Sequence, residues 1–211
     1  MNWFASKSKP ASTPTAASEP AAHHSLGFRA LTRALHRDGG SSILDLGPAL
    51  GQNIAFFGQF GSRVHIGDLY RSRLEIGVRT DDEHPARHLA RLLPIESGEA
   101  FDVVIAWDLL DYLEPKEVDA LIAHLAPALR EGALLFAMVS YQKEIPASPI
   151  RFRIVDSEHL VYETHGAARR SCPRHKQPDL ERHLRGFKID SSFLLRNGMQ
   201  EYLWAYRPAQ G

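Results

Sequence analysis

The chain has 211 residues, 44% of them hydrophobic and 24% charged, which suits one soluble globular domain with a sizeable core. Its 25 basic and 25 acidic residues cancel, and its arginines are scattered, so nothing global points to nucleic acid or an anionic membrane. The one cysteine, Cys172, excludes an internal disulfide and fits a reducing compartment, and its neighbours offer no charge-relay partner for a reactive thiol.

Residues 1–24 read as a disordered tail. They are rich in Ala, Ser, Pro and Thr and too poor in large apolar side chains to offset the entropy of ordering. They lack the apolar stretch of a secretory signal, and no run approaches the ~20 apolar residues of a membrane span. The expectation is a cytoplasmic protein with no membrane partner.

Order begins near Ser25, a plausible N-cap, with Leu26, Phe28, Leu31 and Leu35 at helical spacing over 25–36. Asp38-Gly39-Gly40 stops that helix. Residues 42–47 read as a buried strand ending in Asp45 and Gly47, followed by the turn Pro48-Ala49-Leu50-Gly51-Gln52 and a short helix over 53–60. A second strand over 63–67 ends at Asp68. A charged, helix-like stretch over 70–93 is interrupted by Pro85. The apolar run Phe101-Asp102-Val103-Val104-Ile105-Ala106-Trp107 is a third strand. Residues 117–129 form an amphipathic helix, Gly132 ends it, and 133–139 form another buried strand. Residues 187–195 and 199–206 are strand-like and flank Arg196-Asn197-Gly198, a strong hairpin signal. Alternating strands and helices predict a mostly parallel sheet covered on both faces.

Such sheets bind ligands beyond the carboxyl ends of their strands. The candidate residues sit there. The small residues of the first strand-to-helix turn admit a close backbone approach, and the helix start offers free N–H donors. Asp68 ends the second strand, where an acid can accept bonds from both hydroxyls of a ribose. Trp107 and Asp108 follow the third strand.

Ile43-Leu44-Asp45-Leu46-Gly47-Pro48-Ala49-Leu50-Gly51-Gln52-Asn53 resembles the first motif of class I (Rossmann-like) methyltransferases. Residues 101–113 resemble the fourth-strand motif of the same family, in the style of quinone-biosynthesis methyltransferases. The resemblance spans roughly residues 26–140. It implies a three-layer α/β/α domain over residues 25–208, with a mostly parallel seven-stranded sheet that ends in the antiparallel hairpin. It implies S-adenosylmethionine in the crevice, with Gly47 and Gly51 near its methionine part, Asp45 facing its amino group and Asp68 on its ribose. Pro48, Asn53, Leu69, Trp107 and Asp108 complete the implied cofactor set. Two features depart from the family: Ala49 replaces a usual glycine, and residues 87–96 carry no acid where the adenine contact belongs.

A nicotinamide-binding reading fails on two counts. From Gly47, the Gly-x-Gly-x-x-Gly fingerprint would need glycines where the chain has Ala49 and Gln52. Tyr112-Leu113-Glu114-Pro115-Lys116 has a Tyr-x-x-x-Lys spacing, but Pro115 breaks the helix that spacing requires. The eleven histidines are dispersed, so no metal site is expected. Methyl transfer needs a general base only when the acceptor must lose a proton, so the motifs name no catalytic residue. Residues 140–179 are the expected acceptor-side insertion, with 150–155 and 160–163 as a β-arm and Tyr141, His159 and His165 as candidate bases or contacts. Lacking a basic-aromatic cluster, this segment suggests a small-molecule acceptor rather than nucleic acid. A methyltransferase-like module without catalysis is the alternative.

Overall fold

The computed structural model describes residues 21–76, 85–173 and 175–208. A short edge strand, β1 (Ala22–His24), leads into α1 (Leu26–Asp38). The Ser25 hydroxyl caps α1 by accepting from Phe28 N at 3.1 Å, and Gly39 ends it at φ 57°. Phe28, Leu31 and Leu35 face inward, as their spacing predicts. Strand β1 lies inside the segment expected to be a disordered tail. Three of those residues are ordered by pairing with a strand far along the chain, and residues 1–20 lie outside the described residues.

Next come β2 (Ser42–Asp45), α2 (Gly51–Gly58), β3 (Arg63–Ile66), α3 (Leu69–Ile76), α4 (Pro85–Leu92) and β4 (Phe101–Trp107). The helix-like stretch expected over 70–93 is described as two helices, and Pro85 opens the second, the position where its missing N–H costs nothing. His84 lies outside the described residues. A 3-10 turn (Leu109–Tyr112) precedes α5 (Pro115–Leu125), which starts earlier than expected because Glu114 and Glu117 form a capping box around Pro115. Tyr112 therefore stands on a different element from Lys116. Strand β5 (Leu129–Ser140) also starts early. Gly132 does not end a helix; it sits within β5 at φ 82°, where the pairing with β4 slips from Phe101↔Leu129 to Val103↔Leu134.

The C-terminal third adds β6 (Glu144–Pro146), β7 (Arg151–Ile154), β8 (His159–Glu163), β9 (Arg169–Ser171), α6 (Gln177–His183), β10 (Phe187–Leu194) and β11 (Met199–Tyr206). The main sheet has six strands in the order β10-β11-β5-β4-β2-β3. Strands β3, β2, β4 and β5 run parallel, while β11 runs antiparallel to both of its neighbours. The expected seven-stranded, mostly parallel sheet is thus a mixed sheet of six strands among the described residues. Between β3 and β4 the described chain forms helices α3 and α4 and no further strand.

Helices α1 and α2 cover one face of the sheet and α4, α5 and α6 the other, each with its own apolar core. The expected insertion folds as two small sheets. Strands β1, β8 and β7 form a three-stranded arm, and β6 pairs with β9. Phe152 and Ile154 of the arm join the core formed by α1 and α2. Among the described residues no helix is long and apolar enough to cross a membrane.

Candidate functional site

Strands β2, β3 and β4 end on the same side, and beyond their carboxyl ends lies a cavity of about 260 Å³. Of the residues expected at the cofactor, Gly47, Pro48, Asp68, Trp107 and Asp108 line it. Asp68 and Trp107 are the two non-glycine residues with positive φ among the described residues, at 31° and 48°. Each such conformation costs roughly 1–3 kcal/mol for a side-chain-bearing residue, so backbone strain is concentrated at the rim of this crevice.

Trp107 is held from three sides. Its ring stacks on Phe152 with centroids 5.3 Å apart and planes 7° apart, meets Phe136 edge-on at 6.0 Å, and donates its N–H to Asp45 Oδ1 at 2.8 Å. The same carboxylate oxygen accepts from Gly47 N at 2.9 Å. Asp45 therefore lies behind the cavity lining, where it holds Gly47 and Trp107. Burial pushes its pKa up to about 6, against the opposing pull of these two donors.

Asn53 also turns away. Its Nδ2 donates to Phe152 O and its Oδ1 accepts from Ile154 N, both at 2.9 Å, so the amide clasps β7 instead of the crevice. Leu69 is buried in the core, where its N–H donates to Leu46 O at 3.0 Å. Gly51 opens α2, and a Cβ added there would meet nothing within 4 Å. The expected cofactor set thus divides into five residues on the lining, three that support the structure, and one in open space beside it.

The 3-10 turn after β4 anchors the insertion. Asp108 Oδ2 accepts from Ile150 N and Asp111 Oδ2 from Ser140 N, both at 2.8 Å. Burial raises the Asp108 pKa well above the carboxylate range and that of Asp111 to about 7. Tyr112 Oη donates toward the carbonyls of Ser148 at 2.8 Å and Pro146 at 3.1 Å. These bonds bring Ser148, Ile150 and Arg151 onto the cavity lining, together with Tyr70 and Arg71 from α3. None of these five carries a motif signal; the expected β-arm was the nearest clue. Among the expected acceptor contacts, His165 lines the cavity. His159 pairs instead with Asp156 at the arm tip, and Tyr141, whose Oη lies 3.2 Å from Tyr202 Oη, is not on the lining. Cys172 is buried, and among the described residues no three His, Cys, Asp or Glu side chains gather as a metal site.

A family profile described as methyltransferase domain matches residues 22–185, from β1 to beyond α6. The chain belongs to that family. The methyltransferase domain also resembles solved structures in fold. A S-adenosylmethionine-dependent methyltransferase from Clostridium acetobutylicum, 10% identical, superposes with a TM-score of 0.51 over 86% of this chain and 90% of that one. The PH0226 protein from Pyrococcus horikoshii, 14% identical, gives 0.51 over 86% and 89%. No curated protein matches the sequence.

Proposed function

We infer that this methyltransferase domain moves a methyl group from S-adenosylmethionine to a small acceptor that enters beside the arm. The observation that carries the reading is the shared cavity: loops after three parallel strands bring Gly47 and Pro48, Asp68, and Trp107 and Asp108 to one lining. The residues suit the cofactor. Asp68 offers a half-buried carboxylate to the ribose hydroxyls, each charge-assisted bond being worth roughly 1.5–3 kcal/mol. Gly51 leaves open space beside the loop for the methionine part. Asp45 acts as a positioning residue that fixes Gly47 and Trp107.

When bound, S-adenosylmethionine supplies a methyl group on a good sulfonium leaving group, so alignment can lower the barrier by about 7–11 kcal/mol. The chain's task is to hold and orient. The bonds from Asp108 and Tyr112 hold residues 146–150 at the crevice. His165 presents an imidazole at the lining, where it can accept a proton from an acceptor that carries one.

A second reading, a module without catalysis, is favoured by one feature. A Cβ at Gly47 would stand 2.6 Å from Trp107 Cδ1, so the indole closely fills the space beside the cofactor loop. Calorimetric titration with S-adenosylmethionine and S-adenosylhomocysteine, with NADH as control, separates the two. Binding of the first two alone supports the enzyme, and binding of neither supports the module. Asp68→Ala is expected to weaken S-adenosylhomocysteine binding by at least about tenfold. Asp68→Asn, which tolerates the positive φ better, should weaken it with less loss of thermal stability.

A further inference from the structure

We propose that the methyl acceptor carries an anionic group, a carboxylate or a phosphate, which Arg151 holds at the arm side of the crevice. The proposal rests on the methyltransferase reading of the same cavity.

Arg151 opens β7 and lines the cavity, and the backbone is tied down on both sides of it. Before it, Ile150 N donates to Asp108 Oδ2 at 2.8 Å. After it, Phe152 O accepts from Asn53 Nδ2 at 2.9 Å, and the Phe152 ring is stacked on Trp107. The base of the arginine is therefore preorganised, which reduces the ordering cost of binding a ligand.

Its natural partner is taken. Glu163 stands opposite Arg151 in the β7–β8 register, but Glu163 Oε1 accepts from Arg153 Nε at 3.0 Å. Arg151 Nε is left buried with no hydrogen-bond partner. A guanidinium is always charged and only donates, and this buried unmatched N–H shows that no acceptor of the chain pairs it there. The acids on the same lining do not meet this need. Asp68 is assigned to the ribose, and Asp108 already binds Ile150 N and is shifted toward its neutral form by burial. Leu109 and Ile150 give the lining an apolar wall beside the guanidinium. Such a lining fits a small molecule with an apolar body and an anionic end, held through the planar fork that arginine offers to carboxylate and phosphate.

The test titrates benzoate, phenyl phosphate and neutral benzamide into the protein saturated with S-adenosylhomocysteine. At least one anion should bind roughly tenfold or more tightly than benzamide, and Arg151→Gln should remove that preference while changing S-adenosylhomocysteine affinity by less than about threefold. Arg151→Lys should keep part of the preference and serves as the folded, charged comparison. The ranking of benzoate against phenyl phosphate tells carboxylate from phosphate. Equal affinity for all three probes overturns the proposal. So does an Arg151→Gln variant that loses S-adenosylhomocysteine about tenfold but keeps the anion preference, because the guanidinium would then serve the cofactor's own carboxylate. A wild-type protein that binds no S-adenosylhomocysteine sinks the methyltransferase reading and the acceptor role together, whereas lost anion preference with cofactor binding intact sinks the acceptor role alone.

Discussion

Two glycines four positions apart, where β2 leads into α2, face opposite constraints. A methyl group at Gly47 would collide with Trp107, whose indole cannot retreat because Phe152, Phe136 and Asp45 hold it. A methyl group at Gly51 would meet no protein atom within 4 Å. Gly47→Ala is therefore expected to destabilise the fold by about 1–3 kcal/mol, the usual cost of overpacking a filled site. Gly51→Ala should leave thermal stability unchanged or slightly raised, because alanine is the better helix former, yet lower cofactor affinity. Melting curves and calorimetry on the two variants check this. A Gly51→Ala protein with unaltered affinity would show that the open space beside the loop is not used by the cofactor. The sequence pattern treats these glycines alike, because a motif records which residue stands where and not what packs against it.

At the scale of elements, the arm depends on bonds from the domain beneath it. Asn53 holds β7 at two backbone points, Gln52 donates its side-chain amide to the Ile154 carbonyl, and Asp108 holds Ile150. Asn53→Ala leaves the Phe152 carbonyl and the Ile154 N–H unmatched in a buried place. The expected cost is about 1–3 kcal/mol, with faster amide exchange across residues 151–163 than in β4 and β5. Exchange that speeds up equally everywhere would mean that the arm does not open as a unit. The arm's strands were legible as the runs 150–155 and 160–163 on either side of Asp156-Ser157-Glu158-His159, but its anchor was not. Asn53 follows the glycine motif and so reads as a ligand contact, while its partners lie 99 and 101 residues away.

For the whole molecule, the balance of buried acids sets the pH dependence of stability. Asp45, Asp108, Asp111 and Glu201 are all buried, and burial pushes each carboxyl upward, to about 6 for Asp45 and about 7 for Asp111. An acid with a raised folded pKa binds protons more tightly in the folded chain. Its contribution is full below the unfolded value, 3.8 for aspartate, and is lost as pH rises through the folded value. Two exposed acids run the other way. At Asp156 slight burial is outweighed by bonds from the Glu158 N–H and His159, and Glu158 is held down by His24 and Arg29. Their contributions fade only as pH falls below the ordinary carboxylate range. The melting temperature should thus decline between about pH 4 and pH 7, and Asp111→Asn should flatten the upper part of that decline. A melting temperature that stays level or climbs across this range would contradict the assignment of these carboxyls.

The sequence by itself determined the alternation of strands and helices, the terminal hairpin around Asn197-Gly198 and the acids at the strand ends. Each of these follows from periodicity and turn chemistry within a few residues. The family resemblance was legible on the same short segments. Tertiary structure alone decided that the sheet has six described strands of mixed direction, and that Gly132 bends β5 rather than ending a helix. It also decided that Asp45 and Asn53 face inward and that Arg151 reaches the crevice with an unmatched donor. The physical reason is range. A residue's conformation is constrained by its neighbours in the chain, but the direction of its polar atoms is set by whichever partners satisfy them, and here those partners lie up to about a hundred residues away.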